Sequence, residues 1–453
     1  MNPNPPNGHA AAAAAQRPLH AVLLNGTADA ATLIEPLAAA LDGTGPAILP
    51  IDATLPPAKV RQLIEAFQPN AIIAADGAAP SPAGAPGVAP DTAVIIGTSG
   101  STGEPKGVEL SAGALTHSAL ASLSRVGATG GERWLCCLPV SHVAGLQVLV
   151  RSLLSGTEPV VEADATDEAV ANAADRGCAH VSIVPTQLVR LLGDDTAGPG
   201  VRALARYKSV LVGGAAAGAM LLDTARAAGI NVVTTYGMSE TCGGCVYDGV
   251  PLDGVSVRAG EDGRLRIAGP VLMNRYHGRP DLTAAALTAA ALTAAEPTAA
   301  EPTAAVPTAA VPTAAEPTAA GLKGPELSRP EFVTSDLGFV ADGRVVVRGR
   351  ADDVINTGGH KVVPGEVAAA LSDCPGVREV VVIGRPDPEW GERVTAVVVP
   401  TDPGDPPGLE LLRTHVRRRL PRYACPSEVV LTEAIPVLPS GKPNLAALKV
   451  ART

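Results

Sequence analysis

The sequence predicts an α/β protein in which a large domain of helix-covered β-sheets is followed by a smaller α+β domain. Three observations carry this. Short β-branched runs beside Gly or Pro alternate with longer helical patterns through most of the chain, the signature of covered, largely parallel sheets. The character changes at GRADD (349–353). The chain's 453 residues also exceed one core, at about 100–200 residues per domain.

Taken in order, residues 1–18 (MNPNPPNGHAAAAAAQRP) lack the basic start and Leu-rich run of a secretory signal and read as a disordered leader. The large domain is assigned to 19–349. Within it the runs 94–96, 181–184, 210–212 and 232–235 are expected strands, and 114–124 and 219–228 are expected helices. From 281 to 320 stand eight pentapeptides, DLTAA, ALTAA, ALTAA, EPTAA, EPTAA, VPTAA, VPTAA and EPTAA. The recurring Pro removes a backbone donor too often for a helix or central strand. Ala and Thr offer little to bury, so the segment is expected to be a disordered insert rather than a repeat fold. The small domain is assigned to 350–453. It should hold a helix near 365–371, strands at 380–383 and 394–399, a basic helix at 410–420 and a last strand near 429.

Composition narrows the function. With 35 Lys+Arg against 45 Asp+Glu the net charge is −10, which argues against a nucleic-acid partner. No run of 18 or more strongly apolar residues occurs, so no transmembrane segment is expected. Seven irregularly spaced cysteines do not form a disulfide framework and fit a reducing cytoplasm. Cys242 and Cys245 form one C-x-x-C without the further ligands of a zinc site, and are read as ordinary thiols.

The strongest chemical signal is IGTSGSTGEPKGV (96–108). A buried-type strand enters a loop holding Gly97, Gly100, Gly103 and Gly107, the hydroxyls of Thr98, Ser99, Ser101 and Thr102, and Lys106. Glycines let backbone N–H groups turn inward as an anion nest, hydroxyls add donors and Lys adds charge, so phosphate is the natural guest. It is not a Walker A loop, because Pro105 precedes Lys106 and Gly107 follows it.

TSGSTGEPKG resembles the phosphate loop of the adenylate-forming superfamily, which contains acyl-CoA synthetases, luciferases and peptide-synthetase adenylation domains. Four more segments match in the family's order: TTYGMSET (234–241), TSDLG (334–338), GRADDVINTGGHKVVPGEV (349–367) and LPSGKPNL (438–445). The resemblance implies ATP, Mg²⁺ and coenzyme A as co-substrates or cofactors, a small-molecule carboxylic acid as substrate, and a small domain that is mobile. It implies that Thr98 to Gly103 (Thr98, Ser99, Gly100, Ser101, Thr102, Gly103) and Lys106 hold the triphosphate. Tyr236 and Gly237 face adenine, with Gly213, Gly214 and Ala215 behind it; Ser239 donates to phosphate and Glu240 holds the metal. Asp336 and Arg350 take the ribose; Ser335 stands where the family usually has Gly. Lys442 contacts the carboxylate and α-phosphate during adenylation. Asp352 sits at the hinge, and Gly358 and Gly359 line the pantetheine passage after rotation. The residues leave plainer readings open: a turn and cap at 236–240, a strand-to-helix turn at 213–215, a β-turn at 358–359 and a solubilising Lys442. Arg417, Arg418, Arg419 and Arg422 are either a solvated helix face or contacts to CoA phosphates.

CCLPVSHVAGLQVLVRSLLSG (136–156) and VPTQLVRLL (184–192) resemble the o-succinylbenzoate–CoA ligase branch of that superfamily. The likeness implies activation of o-succinylbenzoate, with His142 as a gate at the acyl pocket, or else a packed structural His. Arg190 is either a candidate for the distal carboxylate or, on a helix ending in Leu191-Leu192, simply exposed. Another aryl- or acyl-CoA ligase, or an adenylation enzyme loading a carrier protein, is the alternative. A homodimer is left open.

Overall fold

The computed structural model describes residues 16–74, 77–80, 87–99, 104–193, 197–289, 330–438 and 442–450. Its large domain is built on two seven-stranded sheets among these residues. The first runs Arg275–Tyr276, Pro105–Ser111, Thr92–Ser99, Ala47–Asp52, Leu19–Leu24, Ala71–Ala74, Gly77–Pro80. The second runs Val250–Pro251, Gly243–Tyr247, Val232–Met238, Ser209–Val212, Cys178–Ile183, Arg133–Cys136, Val160–Val161. In the first a block of parallel strands is flanked by antiparallel ones on both sides; in the second the parallel block runs to the Val160–Val161 edge, with antiparallel strands on the other side only.

The central strands read as continuous apolar runs because both faces are covered. Ile48, Val94 and Ile96 meet Leu37, Leu115 and Leu149 from the helices Ile34–Asp42, Ala112–Arg125 and Val143–Leu154 in one core. Val181, Val210 and Val232 meet Leu188 and Leu204 in a second. With so few aromatics, these cores are filled by Val, Leu and Ile, at about 1.5–3 kcal/mol for each large side chain buried. Ser111 caps the helix Ala112–Arg125 by accepting from Ala114 N at 3.1 Å, and Thr166 does the same for Asp167–Asp175.

A third sheet follows, ordered Ser256–Ala259, Arg264–Ala268, Pro330–Ala341, Leu287–Ala289, with Arg344–Arg350 also paired to Pro330–Ala341. The small domain is a five-stranded sheet of Ile355–Thr357, His360–Val362, Val377–Asp387, Gly391–Pro400 and Glu428–Leu431. The helices Pro364–Leu371 and Leu409–Arg417 share its core through Val367, Leu371, Leu412 and Val416.

Every strand and helix expected above is present, most with longer bounds; the strand at 181–184 ends at Ile183, the helix at 219–228 at Ala227 and the basic helix at Arg417. Two expectations shift at segment edges. Arg17, expected in a disordered leader over 1–18, is buried and donates to the carbonyls of Ala40, Gly45 and Thr92. The insert was expected from 281, yet DLTAAALTA completes the helix Pro280–Ala286 and the strand Leu287–Ala289, which pairs with Pro330–Ala341. Those first units carry Leu282 and Leu287, which pack on the large core, where the later ones carry Pro. Residues 290–320 lie outside the described residues. No helix among the described residues is long and apolar enough to cross a membrane.

Candidate active site

The parallel strands of the second sheet deliver their C-terminal ends to one edge, the place where open α/β sheets form ligand crevices. Ser209–Val212 runs out into Gly213, whose N–H donates to Ile183 O on the neighbouring strand. A Cβ on Gly213 would lie 2.0 Å from Thr235 Oγ1, so this turn admits only glycine. Gly214 follows at φ 81°, a left-handed conformation that also favours glycine. Ala215 continues the loop toward Gly218, where an added Cβ would stand 3.2 Å from Ser372 of the small domain. The strand Val232–Met238 holds Tyr236 and Gly237 and passes into the short turn Ser239–Thr241 with Glu240. A Cβ on Gly237 would meet Gly243 O at 2.0 Å.

Strand pairing places the next group. Asp336 and Arg350 are register partners in adjacent antiparallel strands. Tyr236 Oη donates to Asp336 Oδ2 at 2.8 Å, and Arg350 Nη1 lies 3.5 Å from Asp336 Oδ1. Arg350 Nη2 also reaches Asp352 Oδ2 at 3.0 Å, at the turn between the third sheet and the small domain. Burial and the Asp336 charge push the Tyr236 hydroxyl well above the usual tyrosine range, so it stays a donor.

The strands Thr92–Ser99 and Pro105–Ser111 pair as Thr98 with Lys106 and Ser99 with Pro105, and Thr98 Oγ1 donates to Lys106 O at 3.2 Å. Gly100, Ser101, Thr102 and Gly103 lie outside the described residues. Lys106 Nζ stands 5.9 Å from the centre of the Tyr276 ring. Tyr276 Oη in turn donates to Glu240 Oε1 at 2.7 Å. Behind these groups Glu109, fully buried, accepts from Thr92 Oγ1 and meets Arg275 at 3.0 Å and His277 at 2.8 Å. Burial pushes its pKa up, but the His277 and Arg275 contacts outweigh this and hold it below the usual glutamate value.

Lys442 arrives from the small domain. Its carbonyl accepts from Leu438 N at 2.8 Å, and Val437 bridges to Pro443, closing the loop that presents it. Crowding by the cleft and the charge of Arg350 lower its pKa, opposed by Asp336 and Glu240. The pKa of His142 is lowered by burial and then by Lys442, with Asp52 opposing. Lys442, His142, Glu240, Asp336 and Arg350 therefore share one electrostatic neighbourhood, drawn from five separate segments. His142 itself opens the helix Val143–Leu154 from the N-cap position.

Gly358 and Gly359 form the turn of the hairpin between Ile355–Thr357 and His360–Val362, at φ 54° and 80°. Trp390 covers Gly358, where an added Cβ would be 2.5 Å from its ring. Arg419 is held by Asp373, at 2.9 Å and 2.5 Å, while Arg417, Arg418 and Arg422 are exposed. Cys242 and Cys245 are buried, and no group of three or more metal-ligating side chains occurs among the described residues.

Arg190 grips Asp164 through Nη2 at 2.9 Å to both carboxylate oxygens, on an exposed helix end, so its charge is already matched. Like Arg17, Arg151, two turns into the His142 helix and only 5% exposed, is a buried guanidinium with no carboxylate contact among the described residues. It stacks on Trp134 at 4.2 Å and donates to the hydroxyls of Ser122 and Ser182, and its Nε has no partner. Ser182 adjoins Ile183, the residue that receives Gly213 N–H. Sequence reasoning passed over Arg151 and Tyr276. The first was visible as a charge inside an apolar helical run, and the second as one of only five tyrosines.

Residues 75–264 match the model of the AMP-binding enzyme family, and 366–442 match its C-terminal domain. The "Probable 2-succinylbenzoate--CoA ligase" of Mycobacterium tuberculosis is 40% identical over 369 residues, covering 79% of this chain and 84% of its own length. The chain belongs to the AMP-binding enzyme family. Solved AMP-binding enzymes share its fold. ATP-bound MatB of Rhodopseudomonas palustris superposes with a TM-score of 0.75 at 22% identity, over 96% of this chain and 89% of that one. The o-succinylbenzoate CoA synthetase (MenE) of Bacillus subtilis, in complex with OSB-AMP, superposes at 0.67 with 24% identity, over 96% and 88%.

Proposed function

We propose that this AMP-binding enzyme joins 2-succinylbenzoate to coenzyme A at the expense of ATP. The substrate carboxylate attacks the α-phosphorus, pyrophosphate leaves, and the acyl-adenylate forms. The CoA thiol then attacks the acyl carbon, the C–O bond to AMP breaks, and thioester and AMP are released.

Each group in the cleft has a matching task. Asp336, fixed by Tyr236 and flanked by Arg350, is a carboxylate acceptor for a ribose diol. Tyr236 and the glycine loop at 213–215 form a flat slot for adenine. Thr98, Ser99 and Lys106 bracket the triphosphate. Glu240 is a carboxylate with one oxygen engaged by Tyr276, and no group of three or more candidate metal ligands surrounds it among the described residues. That fits Mg²⁺, which takes one or two protein carboxylates together with substrate phosphates. Bound there, the ion would offset charge on the departing pyrophosphate. Lys442 brings a proton-bearing cation between two anions that must approach each other, and so stabilises charge that grows in the transition state. Asp352 serves as the hinge by which the small domain turns to bring Gly358 and Gly359 to the thiol's path.

The observation that carries the choice of acid is the 40% identity, over 369 residues, to the probable 2-succinylbenzoate--CoA ligase of Mycobacterium tuberculosis. A 2-succinylbenzoate has a second carboxylate beyond the one that reacts, and its aliphatic and aromatic body suits walls of Val, Leu and Gly. The test is pyrophosphate release and CoA-thioester formation across a panel of 2-succinylbenzoate, benzoate, fatty acids and amino acids. The dicarboxylate is expected to lead, with benzoate, fatty acids and amino acids well behind. A lead for amino acids or fatty acids contradicts the assignment.

A further inference from the structure

The phosphate-loop lysine and the carboxylate assigned to the metal come from different sheets, and one side chain bridges them. Tyr276 lies in a two-residue strand, Arg275–Tyr276, that pairs with Pro105–Ser111 through Tyr276 and Val108. That pairing sets its ring against Lys106, with Nζ 5.9 Å from the ring centre, within the range of a cation–π contact. Its hydroxyl donates to Glu240 Oε1 at 2.7 Å. The geometry points to Tyr276 as the positioning residue that holds Lys106 and Glu240 at a fixed separation, so that Glu240 Oε2 stays free to take a Mg²⁺ bound with the nucleotide.

Several features of the surroundings make this more than a packing contact. Tyr276 is buried and its backbone is pinned on both sides: Tyr276 N donates to Thr283 Oγ1 at 3.0 Å and His277 N to Gly107 O at 2.7 Å. Glu240 is tied separately, its carbonyl accepting from Met273 N at 2.8 Å. Both ends of the hydrogen bond are therefore anchored before any ligand enters. Oε2 has no partner among the described residues. A carboxylate that keeps one oxygen on a fixed donor has lost the rotation that would otherwise be spent on binding a cation. Outer partners of this kind typically change metal affinity by about 10–100-fold. The ring and the hydroxyl do separate jobs, which makes them separable by mutation: Tyr276→Phe keeps the face toward Lys106 and removes only the donor, whereas Tyr276→Leu removes both.

This inference rests on the reading of Glu240 as the metal carboxylate, so the experiment includes Glu240→Gln. ATP binding is measured calorimetrically on the full chain, without metal and across a Mg²⁺ titration, with melting temperatures recorded alongside. In Tyr276→Phe, metal-free ATP affinity should stay within about twofold of the parent while the Mg²⁺ concentration for half-maximal enhancement rises about tenfold. Tyr276→Leu should weaken metal-free binding as well. General damage to the fold would weaken both measurements together and would not split them. If Tyr276→Phe follows the parent Mg²⁺ curve while Glu240→Gln shifts it, Tyr276 does not position the carboxylate. If Glu240→Gln also follows the parent curve, the metal assignment itself fails.

Discussion

Replacing Lys442 with alanine takes a positive charge out of the space between His142, Glu240, Asp336 and Arg350. Those neighbours fix what the loss should be. A unit charge about 4 Å from a developing oxyanion, at an effective dielectric of about 20, is worth about 4 kcal/mol. That converts to about 10³-fold in rate. Lys106 and Arg350 remain in the cleft and cover part of the deficit, so the expected fall in acyl-adenylate formation is about 10²–10³-fold. The assay is substrate-dependent pyrophosphate release, run beside thioester formation from supplied acyl-adenylate. The second step uses the other lobe arrangement and should survive. A pH arm sharpens the test. Lys442 acts with its proton on, and the crowded cleft and Arg350 lower its pKa. Adenylation should therefore fall as pH rises through a value below that of a free lysine, and the Ala variant should lack this alkaline limb. Equal losses in both half-reactions, or an alkaline limb that persists in Lys442→Ala, would refute the reasoning.

Glu109→Gln should lower the stability of the large domain by about 3 kcal/mol, because it leaves Arg275 and His277 facing a neutral amide. The folded carboxyl has a depressed pKa, so its contribution is present above the ordinary glutamate value of 4.5 and is lost as pH falls through the folded one. Chemical denaturation between neutral and mildly acid pH should show the parent losing its advantage over the variant at the acid end. Deleting residues 290–320 should leave melting temperature and turnover near those of the parent. Extending the deletion to 281 removes Thr283, which accepts from Tyr276 N, and Leu282 and Leu287 from the core, and should cost both.

Much of the site could be read from the sequence because its demands are local. Gly213 and Gly237 sit where a side chain would strike a neighbouring strand, and such positions show as glycine in any listing of residues. Asp336 and Arg350 are register partners across one hairpin, separated by only a short stretch of chain. What escaped is what only tertiary contact creates. Arg190 and Arg151 look alike on paper, each one charge in an apolar helix. Asp164, 26 residues away, neutralises the first, while the second is sealed among serines and Trp134. Tyr276 gains meaning only because a two-residue strand docks beside Lys106 and opposite Glu240. The repeat misled for a related reason. Its pentapeptide period hides the exchange of Leu for Pro, and the Leu-bearing units fold where a core is within reach.

The central claim is that nucleotide binds with its ribose on Asp336 and its α-phosphate beneath Lys442. A crystal structure of the full chain with ATP and Mg²⁺ measures this directly. The account predicts the ribose hydroxyls on the Asp336 carboxylate, the triphosphate between Thr98 and Lys106, the cation on Glu240 and Lys442 Nζ against an α-phosphate oxygen. Nucleotide bound elsewhere, or seated in this cleft with Asp336 and Lys442 both out of contact, would contradict it.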